Sequence, residues 1–156
     1  MKGFYTAQAG HIVNILPPVD ISSGKFSDVF SMENFGHATI IVQVGVSAAA
    51  FTKIIVNACD DFVPTTRTAI AFKLYPEEAA AGDTLAAGED VAAAGRTPVA
   101  TDNIFYVIEI DAAELPAGSP NLELSLTNGV NSVIASAVAI LSGSRYAGDQ
   151  SATAIV

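Results

Sequence analysis

The sequence predicts an all-β fold: a two-sheet antiparallel β-sandwich of about eight strands with jelly-roll-like connections. Three observations predict it. Short runs rich in Val, Ile, Phe, Tyr and Thr alternate apolar and polar residues, the signature of a pleated strand with one buried face. Clusters of Gly, Pro, Asn and Asp separate those runs at regular spacing. No stretch of the chain reads as a long helix.

The first strand covers residues 10–16 and stops at Pro17 and Pro18, which lack a backbone donor and favour a sheet edge or an exit from the sheet. Residues 21–24 (ISSG) form a turn, residues 26–32 (FSDVFSM) an imperfectly alternating strand, and residues 34–36 (NFG) a second turn. In residues 37–46 (HATIIVQVGV), Ile40, Val42, Val44 and Val46 share one face, with Thr39, Ile41, Gln43 and Gly45 on the other. Residues 47–50 are short enough for a hairpin, which would pair residues 51–59 (FTKIIVNAC) antiparallel with the preceding strand. Residues 60–66 are a polar turn. Residues 68–75 form one strand with Thr68, Ile70, Phe72 and Leu74 on a common face.

Residues 77–101 are punctuated by Gly82, Gly88, Gly95 and Pro98, too often for a helix despite the alanines. They are expected to form a long loop with a short strand near residues 83–86 and to offer a contact surface. Residues 104–110 (IFYVIEI) alternate strictly. Asp111, Glu114, Pro116 and Gly118 then mark a capped single helical turn. Leu122, Leu124 and Leu126 face a core opposite Glu123, Ser125 and Thr127, and the Asn128-Gly129 dipeptide predicts a hairpin to residues 133–141. Residues 1–142 are therefore expected to be one sandwich domain. Residues 143–156 form a C-terminal arm or tail, small and polar up to an apolar Ala154-Ile155-Val156 end.

Composition narrows the function. Charged residues make up 15% of the chain and apolar residues 51%, against about 25% charged for an ordinary soluble domain, so part of the surface is expected to be covered by other chains. The net charge is −9, from 7 Lys and Arg against 16 Asp and Glu, and the basic residues are scattered. That excludes the basic patch needed to release counterions from nucleic acid, and it disfavours an anionic membrane surface. Residues 1–10 have no apolar segment of the secretory type, and residues 133–141 are far short of the roughly 20 apolar residues of a spanning helix. The single Cys59, in an apolar run, is expected to be a small buried hydrophobe.

Groups that do chemistry are few. His11 and His37 lie far apart with no CxxC or HExxH motif, so no zinc set is predicted. Adjacent Asp60 and Asp61 suit turn capping better than chelation. GVSAA at residues 45–49 lacks the second glycine of a nucleophile elbow. Glu109 and Glu123 could mimic a glycosidase pair across two strands, but alternation places both on outward faces. No metal or other cofactor and no catalytic residue is expected.

The stretches GHIVNILPPVDISSGKFSD, HATIIVQVGV, IFYVIEIDAAELPAG with NLELSLTN, and ASAVAILSGSRYAG together resemble small virion structural proteins of tailed bacteriophages, above all capsid decoration, or cement, proteins. The resemblance spans nearly the whole chain and implies a non-enzymatic β-sandwich. Such a protein, made in the cytoplasm of a bacterial host, binds the outer surface of an assembled capsid as a homodimer or homotrimer and bridges neighbouring copies of the major capsid protein. On that reading Phe4, Tyr5, Arg145, Tyr146, Ile155 and Val156 are the expected anchors, because aromatic and Arg side chains dominate interface energetics. The alternative is a carbohydrate- or receptor-binding sandwich module, which would be expected to display aromatic rings for stacking; Trp is absent.

Overall fold

The computed structural model describes residues 3, 5–47, 49–79, 82–144 and 155. A helical turn, α1 (Thr6–Ala9), precedes β1 (His11–Asp20), β2 (Lys25–Phe26), β3 (Phe30–Ser31), β4 (Phe35–Ser47), β5 (Lys53–Cys59) and β6 (Arg67–Ile70). Then follow β7 (Phe72–Glu77), β8 (Glu89–Val91), β9 (Ile104–Asp111), a 3-10 turn (Ala112–Glu114), β10 (Asn121–Thr127) and β11 (Val133–Ser144).

These strands form the expected antiparallel sandwich. A six-stranded sheet has the order β1-β11-β4-β9-β7-β8, and a five-stranded sheet has the order β2-β10-β5-β6 with β3 also on β10. The pairing is nested: β1 with β11, β2 and β3 with β10, β4 with β9, and β5 with β6. A chain folded as one long hairpin and then wound over itself gives this nesting, which is the jelly-roll. The β7–β8 hairpin is appended outside β9.

Alternation builds the core. Ala38, Ile40, Val42 and Val44 of β4 meet Ile104, Tyr106, Ile108 and Ile110 of β9 and the inward alanines of β11, opposite Ile54, Val56, Leu122, Leu124 and Leu126 of the smaller sheet. Val46, expected on the same face, is exposed, because a bulge breaks the alternation there: Val44 and Ser47 of β4 pair with Ala135 and Val133 of β11, one residue more on β4 than on β11.

Several connections differ from the expected ones. β4 and β5 are not a hairpin: both sides of β4 are occupied by β11 and β9, and β5 lies in the other sheet, with Phe51 buried. Asn128-Gly129 likewise joins β10 of one sheet to β11 of the other. Neither residue is among those with positive φ, which the two-residue hairpin turn requires. Asn128 instead spans a wider loop, its Nδ2 donating to the Asn131 carbonyl at 2.8 Å. The single strand expected over residues 68–75 is two strands that change sheets at Ala71, while Ile70, Phe72 and Leu74 stay inward.

β1 continues through Pro17 and Pro18 as an edge strand, with register shifts that absorb the missing donors. The strand expected over residues 26–32 is the pair β2 and β3, both on β10. Within residues 77–101 the strand is β8, not residues 83–86; Val91 is buried on β8, whereas Leu85 is exposed and offers no core residue. The capped turn after β9 forms where expected, with the Asp111 N–H donating to Glu114 Oε2 at 3.2 Å. Cys59 is a free, fully buried thiol, pushed up to about 11 by burial first and by Glu123 second.

Candidate interaction surface

Of the expected anchors, Tyr5 is exposed just before α1, and Ile155 is half-buried and packs against the edge of the core. Phe4, Arg145, Tyr146 and Val156 lie outside the described residues.

The two outer faces of the sandwich differ in kind. On the smaller sheet, Glu123 and Asn57 are opposite one another on β10 and β5 and both are buried. Arg67 closes over them, with Nε 2.8 Å from Glu123 Oε2 and Nη2 3.2 Å from Oε1, and its guanidinium carbon 5.0 Å above the Phe26 ring. This face spends its polar groups on itself. Sequence alternation placed Glu123 outward but could not foresee that Arg67 buries it.

On the six-stranded sheet the outward residues form rows across the strands. The central row runs Asn14, Val138, Ile41, Val107, Tyr75 through five strands. Two residues further along β4, Ser136, Gln43 and Phe105 form a second row that ends on Glu77, which is buried. Two residues back, Ile12, Ile140, Thr39, Glu109 and Lys73 form a third. Outward positions of an antiparallel sheet are ordinarily polar; here the centre is aliphatic.

At the end of this face His37 is held by two carboxylates, its Nδ1 2.7 Å from Asp111 Oδ1 and its Nε2 2.6 Å from Glu109 Oε2, which also accepts from Thr39 Oγ1 at 2.7 Å. With both ring nitrogens engaged by acids, the imidazolium satisfies both contacts and has no lone pair left to act as a base. Partial burial of the ring is the largest single influence and pulls its pKa down, but Asp111 and Glu109 together outweigh it and the net shift is upward. The sign follows: the folded pKa lies above the unfolded value near 6.5, so the contribution to stability is full below that value and is lost as pH rises through the folded pKa. His37→Gln is therefore expected to be less stable than the parent at pH 5.5 and to converge with it at pH 8.5, as read from denaturant midpoints across that range.

Residues 82–103 are tied down from both sides. Arg96 Nη1 lies 2.5 Å from Glu78 Oε1 and its Nε 3.0 Å from Glu89 Oε1, while its backbone exchanges two hydrogen bonds with Ile54 of the other sheet. Gly95 makes that approach possible: its φ is +81°, and a Cβ there would sit 2.5 Å from the Ile54 carbonyl oxygen. Gly95→Ala is expected to cost about 1–3 kcal/mol through this strain, measured as a lowered unfolding midpoint. Gly88 lets the segment cross the Tyr75 ring, where a Cβ would come within 2.6 Å of Cε1.

Among the described residues the buried Glu77 Oε1 has no hydrogen-bond partner, and several clefts open on the surface. One of about 470 Å³ between β7, β8 and the 3-10 turn contains Lys73 and Asp90, bonded to each other at 2.9 Å. Glu109 and Glu123 lie on opposite outer faces of the sandwich, so they cannot flank one glycosidic bond. Among the described residues no group of three or more His, Cys, Asp or Glu side chains could hold a metal ion, and no helix is long and apolar enough to cross a membrane. No protein-family model matches the chain, and the curated proteins give no significant match.

Proposed function

We propose that this chain is a non-enzymatic virion structural protein that decorates the outer surface of a phage capsid and bridges neighbouring major capsid subunits. The observation that carries the reading is the contrast between three locally paired charged clusters and an aliphatic, outward-facing sheet centre. Lys73–Asp90, Arg67–Glu123 and His37 with its two acids all serve the fold itself, and the Ile41 row is left as a contact surface. A protein that only has to hold neighbours together needs such a surface and no reaction centre. Many weak identical contacts around a shell add by avidity, since each bound copy raises the effective concentration of the next contact. The exposed Tyr5 is a suitable anchor at one terminus.

The test is co-sedimentation of the purified chain with empty capsids of the source particle. The expected result is saturable binding at a fixed ratio to the major capsid protein, together with raised resistance of the shell to heat. Absence of binding at all concentrations, with retained binding to a glycan array, would transfer the reading to a carbohydrate-binding module.

A further inference from the structure

We infer that the outer face of the six-stranded sheet is a self-association surface that packs against the same face of a second copy of this chain. The inference rests on the decoration reading, since the Ile41 row is the same contact surface, and it names a second copy of this chain as what meets that row.

The first argument is the distribution of charge. Two copies of a chain carrying −9 repel each other, so they approach best where the surface is uncharged. The Asn14–Tyr75 row and the open part of the Ser136–Phe105 row carry no ionised side chain, and Glu77 at the end of the latter is buried. The charges of this face lie towards its two ends, His37, Glu109, Asp111 and the Lys73–Asp90 pair at one and Asp20 and the buried Glu77 at the other, and leave the centre uncharged. The opposite sandwich face has no comparable band, since Arg67 and Glu123 occupy its middle.

The second argument is symmetry. A two-fold axis laid along the Asn14–Tyr75 row exchanges the Thr39–Glu109 row with the Gln43–Phe105 row. Glu109 then meets Phe105 of the other copy, and no carboxylate faces its own equivalent. The uncharged polar groups, Asn14, Gln43 and Ser136, both donate and accept, as a self-complementary rim requires.

The third argument is area. Five strands about 4.8 Å apart and a height of about six residues at roughly 3.3 Å give a patch of about 500 Å², or about 1,000 Å² for a pair. That is the lower bound of specific interfaces, so a weak, concentration-dependent dimer is expected rather than an obligate one. On a capsid, where local concentration is high, such a contact would be populated.

The experiment is sedimentation velocity of the full chain over a wide concentration range, for the parent, Ile41→Lys, the milder Ile41→Thr, and Val130→Lys in a distant, exposed loop as a control. The parent and the control are expected to move from monomer towards dimer mass, with Ile41→Lys raising the dissociation constant at least about tenfold and Ile41→Thr by less. Circular dichroism identifies any variant that fails to fold, and Ile41→Thr then carries the comparison. A parent that stays monomeric throughout overturns the inference, as does a dimer indifferent to both Ile41 variants. If the parent is monomeric yet Ile41→Lys abolishes capsid co-sedimentation, the face belongs to a capsid subunit: the inference fails while the decoration reading stands.

Discussion

Tyr106→Ala is expected to lower stability by about 3–5 kcal/mol, the range for removing a fully buried aromatic ring. Tyr106 is among the largest of the fully buried side chains and lies at the middle of β9, beside Val42 of β4 and Pro76 of β7. Against a total stability of roughly 5–15 kcal/mol, that loss should lower the melting temperature by about 10 °C or more. Tyr106→Phe separates the ring from its hydroxyl. The hydroxyl donates to Glu78 Oε1 at 3.0 Å and accepts from the Val99 N–H at 3.3 Å. Its removal should cost about 1 kcal/mol globally while accelerating amide exchange at Val99, because the 82–103 segment loses an attachment to the core. Equal destabilisation by Phe and Ala would contradict this division of labour.

Arg67→Ala is expected to cost about 3 kcal/mol, the lower end for breaking a buried ion pair. The cost arises at Glu123, whose carboxylate is almost fully buried and would keep only the 3.4 Å contact from Asn57 Nδ2. The lower end applies because Arg67 itself is well exposed, so its removal admits some water. Adding Glu123→Gln to the Arg67→Ala background should recover at least half of the loss, since a neutral amide tolerates the site better than a stranded charge. Denaturant midpoints of the two single variants and the double variant decide it; an Arg67→Ala variant within about 0.5 kcal/mol of the parent would show that water alone compensates Glu123.

These predictions depend on pairs that sequence periodicity could not supply. Period-two alternation identified β9, β10 and most of β4 and β11, and for β9, β10 and most of β4 it gave the correct inward face, because a one-residue slip would turn every apolar side chain to the wrong side. The same alternation put Ile41 on the face opposite Ile40, Val42 and Val44, which is the raw material of the candidate surface. What alternation lacks is a partner: it says which face of a strand is apolar, not which strand lies beside it. Residues 47–50 and Asn128-Gly129 therefore passed as hairpins, when each connects one sheet to the other. Arg67 and Glu123 are 56 positions apart, and only the β10–β5–β6 register brings them together.

By itself the sequence determined the all-β class, most strand positions, the capped turn at Ala112–Glu114, the burial of Cys59 and the lack of a basic patch, since all of these follow from local pattern and composition. The tertiary structure alone decided the nested jelly-roll pairing, the change of sheet at Ala71, the closure of one outer face by Arg67 and the assembly of the Ile41 row across five strands. The physical reason is that backbone ladders pair any strand with any other at similar energy. The choice among pairings is made by how two whole apolar faces bury each other, a property of the complete chain and of no segment within it.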